Sequence, residues 1–246
     1  MKYTFDSRVR YSEIDEDGRL SVTGLIDYFQ DTATFQSEDY GIGLEYMAPM
    51  HLAWILSSWQ IIIDRMPVLN EKIASTTWAY GFDKFYGYRN FTLTGKDGGV
   101  CARANSVWVM MDMKRQRPAR VDELMLERYG TEAPLDMVYA PRKIELPGGG
   151  ESKESFVITP SHLDTNHHVN NGKYVELAMG YLPPDLTIRQ LRVEYKKQAH
   201  LGDVITPVVV LENGLWTVLL EGNDKAVYCI AEFETKEDGK TNAEIR

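Results

Sequence analysis

The chain has 246 residues, enough for one large domain or two of roughly 120 residues each. Its 43% hydrophobic and 26% charged residues fit a folded globular protein and exclude extensive disorder. The net charge of −9 disfavours nucleic acid as a partner, and no apolar run approaches the roughly 20 residues of a membrane span.

The opening Met1-Lys2-Tyr3-Thr4-Phe5-Asp6 lacks the apolar core of a signal peptide, so a cytoplasmic location is expected. Tyr11-Ser12-Glu13-Ile14-Asp15 leads through Gly18-Arg19-Leu20 into a helix. Val22, Leu25, Ile26, Phe29 and Ala33 form its apolar stripe, Ser21 is placed to cap it, and Gly41 and Gly43 end it. Runs rich in β-branched and aromatic residues follow at 52–63, 72–80, 88–94 and 101–111, separated by turn signals such as Lys96-Asp97-Gly98-Gly99. Cys101, like Cys229 later, sits in a strand-like apolar run and reads as a core thiol. The turn after the last run concentrates Lys114, Arg115, Arg117 and Arg120, either a solvated turn or a local docking patch for an acidic partner.

Ala140 to Ser152 contains Pro141, Pro147 and the triplet Gly148-Gly149-Gly150, which mark a linker; the spacing of a phosphate-binding loop is absent. Beyond it the first pattern returns. Pro160-Ser161-His162-Leu163-Asp164 leads through His167-His168-Val169 into a second helical stripe, Tyr174, Leu177, Ala178 and Tyr181. Asn170 or Asn171 is placed to cap this helix, and Pro183-Pro184 ends it. One separation relates Ser12 to Ser161, Asp15 to Asp164 and Leu20 to Val169. Four further strands are read at 187–195, 204–211, 215–221 and 226–235. Each half therefore reads as a strand, a helix and a four-strand antiparallel run. This predicts an α+β fold of units 1–135 and 153–246 joined by a linker at 136–152, their sheets paired edge to edge to shield the edges.

His162, His167, His168 and His200 cluster late in the chain, the first three among Ser161, Asp164, Asn166, Asn170, Asn171 and Lys173. His suits general acid–base work near neutral pH, Asp orients or activates a neighbour, and an Asn amide donates to a developing oxyanion. Alternation along an extended segment would point Asp164, Asn166 and His168 the same way. Two other readings stand beside this one: a metal site using His162, His167, His168 and Asp164, and an Asx-rich turn that only caps a helix. No Gly-x-Ser-x-Gly elbow supports serine chemistry.

Residues 164–174, Asp-Thr-Asn-His-His-Val-Asn-Asn-Gly-Lys-Tyr, resemble the Asp-x-Asn-x-His-Val-Asn-Asn-x-Lys-Tyr motif of the acyl-ACP thioesterases of plant plastids and bacteria. Val109-Met110-Met111-Asp112 with its basic turn, Leu191 to Lys197, and Arg10 to Asp15 resemble further segments of that family. The resemblance implies a tandem double hot-dog fold, each half a long helix wrapped by a curved antiparallel sheet. It also implies hydrolysis of fatty acyl-acyl carrier protein in fatty acid biosynthesis, with no metal or organic cofactor.

Asp164, Asn166 and His168 would then be catalytic, and Gln198 would stand at a fourth position where many relatives have Glu. Asn170, Asn171, Phe29, Trp54 and Trp59 would contact substrate, the aromatics, with Phe35 and Met47, being either pocket wall or ordinary core. Lys114, Arg115, Arg117 and Arg120 would dock the acidic carrier protein. Asp17 and Arg19 stand where the second half has Asn166 and His168, which predicts one active site per chain. An acyl-CoA thioesterase and a non-catalytic fatty-acyl binding module remain alternatives. The tandem unit already supplies the partner a single hot-dog domain needs, and a homodimer is a further possible assembly.

Overall fold

The computed structural model describes residues 1–236; residues 237–246, the end of the predicted C-terminal unit, lie outside the described residues. Strand β1 (Tyr3–Arg8) precedes helix α1 (Val22–Asp39), which starts where Ser21 Oγ accepts a hydrogen bond from the Gly24 amide at 3.0 Å. A Cβ on Gly24 would come within 2.9 Å of Leu20 and 3.2 Å of the Glu13 carbonyl, so glycine lets the helix start lie against the preceding loop. A short helix α2 (Leu44–Met47) leads to β2 (Leu52–Ile63), β3 (Lys72–Asp83), β4 (Tyr86–Thr94) and β5 (Val100–Asp112). After β6 (Arg117–Pro118) comes α3 (Glu123–Tyr129), which sequence reading passed over. The second half contains β7 (Glu151–Ser152), β8 (Phe156–Val157), α4 (Asn171–Met179), β9 (Ile188–Tyr195), β10 (Val204–Glu212), β11 (Leu215–Gly222) and β12 (Val227–Thr235).

All these strands form one sheet, whose main path runs β1-β3-β4-β5-β2-β9-β12-β11-β10-β7. The halves meet at β2 and β9, antiparallel from Ser58 opposite Glu194 to Ile62 opposite Gln190, so the expected edge-to-edge pairing is present. Along β2, Trp59, Ile61 and Ile63 face the core; on α1, Leu25, Ile26 and Phe29 are fully buried against the sheet. The result is the expected tandem hot-dog architecture, a helix against a curved antiparallel sheet in each half.

The segment between the halves is held down, contrary to its loop-like composition. On the face of the sheet away from α1, Gln60 Nε2 donates to the Val138 carbonyl (3.0 Å) while its Oε1 accepts from the Ala140 amide (2.9 Å). Arg192 reaches the carbonyls of Pro141 (2.8 Å) and Lys143 (3.3 Å), and buried Glu194 accepts from the Ile144 amide (3.0 Å). Residues 135–144 thus lie across the β2–β9 seam, their polar backbone satisfied by polar residues of the sheet. Asn90 anchors one end: fully buried, it accepts from the Leu135 amide (3.0 Å) and Tyr139 hydroxyl (2.9 Å) and donates to the Ala104 carbonyl (3.2 Å). Asn90→Ala removes the partner of the Leu135 amide, while the Tyr139 hydroxyl keeps the Leu135 carbonyl at 3.1 Å, and is expected to cost about 2 kcal/mol. A urea midpoint that falls at unchanged slope would register the loss.

Candidate functional site

The chain builds one loop twice. Asp15 Oδ1 accepts from the amides of Asp17 (3.1 Å) and Arg19 (3.0 Å); Asp164 Oδ1 accepts from those of Asn166 (2.8 Å) and His168 (3.3 Å). Bridges Ile14–Leu20 and Leu163–Val169 close the two loops, with left-handed φ values of +71° at Gly18 and +62° at His167. Glu13 accepts from the Arg10 amide (2.8 Å) where His162 Nδ1 accepts from the Thr159 amide (3.1 Å). His162 therefore serves as a loop fastener, and no group of three or more His, Cys, Asp or Glu among the described residues is placed to hold a metal ion.

Asp164, Asn166, His168 and Gln198 line one cavity of about 650 Å³. The expectation of an alternating extended segment is corrected: the chain turns at His167, and the Asp164 carboxylate closes the turn beneath His168. The His168 ring lies edge to face against His200, centroids 4.8 Å apart. Burial lowers the His168 pKa below its ordinary 6.5, helped by the nearby His200 and then His167, with Asp164 acting in the other direction. Gln198, which follows β9, is exposed at this wall beside Lys196 and Lys197.

From this polar end the cavity extends into the first half, along Ala33 and Ser37 of α1, Met47 of α2, and Leu52 to Leu56 of β2. Trp54 and Asn171 line it as expected, Asn171 Nδ2 donating to Gln30 Oε1 at 2.9 Å. Three expected substrate contacts are corrected. Phe29 and Trp59 do not line the cavity; they pack with Phe91, ring centroids 5.2 and 5.0 Å from it, inside the core. Asn170 is the cap of α4, its Oδ1 accepting from the Gly172 amide at 2.8 Å. Phe35 likewise stays off the wall, against Phe5 at 5.1 Å.

Arg89, Trp108 and Tyr129 line the cavity without having been singled out from sequence. Arg89 had a visible signal, since it interrupts the apolar face that Phe91 and Leu93 continue along β4. Lys114, Arg115, Arg117 and Arg120 are exposed, with Arg115 paired to Asp112 at 3.3 Å. Their turn starts directly after Met113, a cavity-wall residue, so the basic patch adjoins the site.

A tandem hot-dog sheet whose cavity carries Asp164, Asn166, His168 and Gln198 and continues along α1 and β2 of the first half defines the class. The same fold occurs in a crystal structure of an acyl-ACP thioesterase from Bacteroides thetaiotaomicron: TM-score 0.88, 24% identity, covering 96% of this chain and 98% of that one. It occurs also in the 12:0-ACP thioesterase from Umbellularia californica: TM-score 0.82, 18% identity, covering 96% of this chain and 97% of that one. The acyl-ACP thioesterase N-terminal domain family matches residues 1–129 and its C-terminal domain family residues 150–246; the chain belongs to the acyl-ACP thioesterase family. A chloroplastic palmitoyl-acyl carrier protein thioesterase of Cuphea hookeriana is 26% identical over 223 residues, 83% of this chain and 53% of that protein. The chain spans about half the length of the curated relatives it matches.

Proposed function

We propose that this chain hydrolyses the thioester of a fatty acyl chain carried by acyl carrier protein. The observation that carries this reading is the cavity itself: Asp164, Asn166, His168 and Gln198 stand at one end, and the apolar walls of the first half receive the chain. With the carbonyl near the start of α4, the Asn166 amide donates to the developing oxyanion. His168, kept neutral by its lowered pKa, takes a proton from water as the water oxygen bonds to the carbonyl carbon. The C–S bond then breaks, and the imidazolium returns the proton to the departing thiolate. Gln198 holds the water by hydrogen bonding but accepts no proton, so proton acceptance falls to His168. Lys114, Arg115, Arg117 and Arg120 meet the acidic carrier protein at the adjoining surface.

Thiol release from matched acyl chains on carrier protein and on CoA tests this directly. A higher kcat/KM on carrier protein is expected. Equal or better turnover of the CoA series overturns the carrier preference. No release from any donor, together with tight fatty-acid binding, replaces the hydrolase by an acyl-binding module, a result that Gln198 at the fourth position would explain.

A further inference from the structure

Arg89 lies on the core-facing side of β4 between Gly87 and Phe91, only 7% exposed, and forms part of the cavity wall. An arginine buried among apolar neighbours is costly unless its charge and donors are met. Its Nη2 donates to Gln36 Oε1, its Nε to Thr77 Oγ1 at 3.4 Å, and its guanidinium lies 5.2 Å from the centre of the Tyr129 ring. Neutral oxygens and a ring face are thus its partners; no Asp or Glu among the described residues pairs with it. Glu38, on the same cavity wall, is engaged with the Leu44 amide at 2.8 Å.

A guanidinium has five N–H donors and no acceptor; Arg89 Nη1 bonds to none of the described residues and is not a buried unpartnered atom, so it opens on the cavity, where water or a ligand oxygen can meet it. The surroundings are polar too: Ser37 Oγ and the Tyr129 hydroxyl, 2.8 Å apart, belong to wall residues beside it. The strand order places this cluster away from the chemistry. From β4 to β9, which leads into Gln198, the sheet takes three steps through β5 and β2, about 14 Å at the usual strand spacing.

We propose that the cavity selects acyl chains that carry an oxygen acceptor, as a hydroxyl, keto or carboxylate group, on the part of the chain remote from the thioester. Arg89 reads that oxygen; Ser37 Oγ donates to the Ala33 carbonyl at 2.9 Å and accepts from the Tyr129 hydroxyl, so the guanidinium is the donor available there. This specificity rests on the acyl-cavity reading above, though not on the hydrolysis itself. A site built to hydrogen-bond an oxygen discriminates against the chain lacking it far more strongly than an apolar pocket discriminates by size.

Binding separates the inference from the hydrolase reading. Saturated fatty acids and their ω-hydroxy and α,ω-dicarboxylic counterparts of matched length, each capped at C1 as a methylamide so that the plain acids carry no free carboxylate, are titrated into the wild-type protein, Arg89→Met and Arg89→Lys. Wild type is expected to bind at least one oxygenated series tenfold or more tighter than the plain acids. Arg89→Met is expected to abolish or invert that ratio, and Arg89→Lys to retain part of it. Plain acids binding as tightly as both oxygenated series, or tighter, in wild type overturns the inference and leaves Arg89 as an end wall; this readout does not depend on either variant folding. A preserved ratio without thiol release would sink the hydrolase reading alone, and thiol release without the ratio would sink this inference alone.

Discussion

His168→Ala is expected to lower turnover at least a hundredfold, about 2.7 kcal/mol of barrier, with the fold intact. The side chain contributes to the cavity wall and to contact with His200, while its backbone amide holds the loop together through Asp164, a bond alanine keeps. Thermal unfolding close to wild type with kcat reduced is therefore the expected pair of results. Turnover within a few-fold of wild type would remove His168 from the chemistry. The pH profile adds a signed test. A base works when neutral, so kcat/KM falls as pH drops through the His168 pKa. Since burial and the neighbouring His200 hold that pKa below 6.5, the acid limb is expected below 6.5. His200→Gln removes the second of these causes, so the limb is expected to move upward. A downward shift would contradict the arrangement.

Much of this site is legible in the sequence because it depends on local chemistry. The repeated segments at Asp15 and Asp164, the Ser21 cap and the runs of β-branched and aromatic residues are each specified within a few residues, and the structure builds matching loops, a capped helix and strands from them. What local pattern does not encode is where distant groups find one another. Pro141 and the glycines after it read as a linker because the groups that bind it, Gln60, Asn90, Arg192 and Glu194, lie on strands remote in sequence. Phe29 and Trp59 have the chemistry of a pocket wall, yet the close approach of α1 to β2 and β4 fills that space with Phe91. Alternation pointed Asp164, Asn166 and His168 to one side, and they do share a cavity. The physical reason is different: a histidine in the left-handed region lets the chain turn around the Asp164 carboxylate.

Asp164→Ala is expected to cut kcat by a hundredfold or more, while Asp15→Ala leaves it within about threefold of wild type. Each carboxylate accepts from two loop amides, so each alanine removes the same kind of support, at about 1 kcal/mol for these partly exposed bonds. Equal stability losses with unequal activity losses are the expected signature, because the loop around Asp15 carries Asp17 and Arg19 where the other carries Asn166 and His168. Asp164→Asn divides the role further. Asparagine keeps an Oδ1 acceptor, so the loop and stability are expected to persist within about 0.5 kcal/mol of wild type. It removes the charge that favours the His168 cation, so the acid limb should move down and kcat should lie between wild type and the alanine variant. If Asp164→Asn loses as much stability as Asp164→Ala, the loop depends on charge as well as on acceptor geometry. If Asp15→Ala is as inactive as Asp164→Ala, the first loop takes part in catalysis and the assignment of chemistry to the second half alone is wrong.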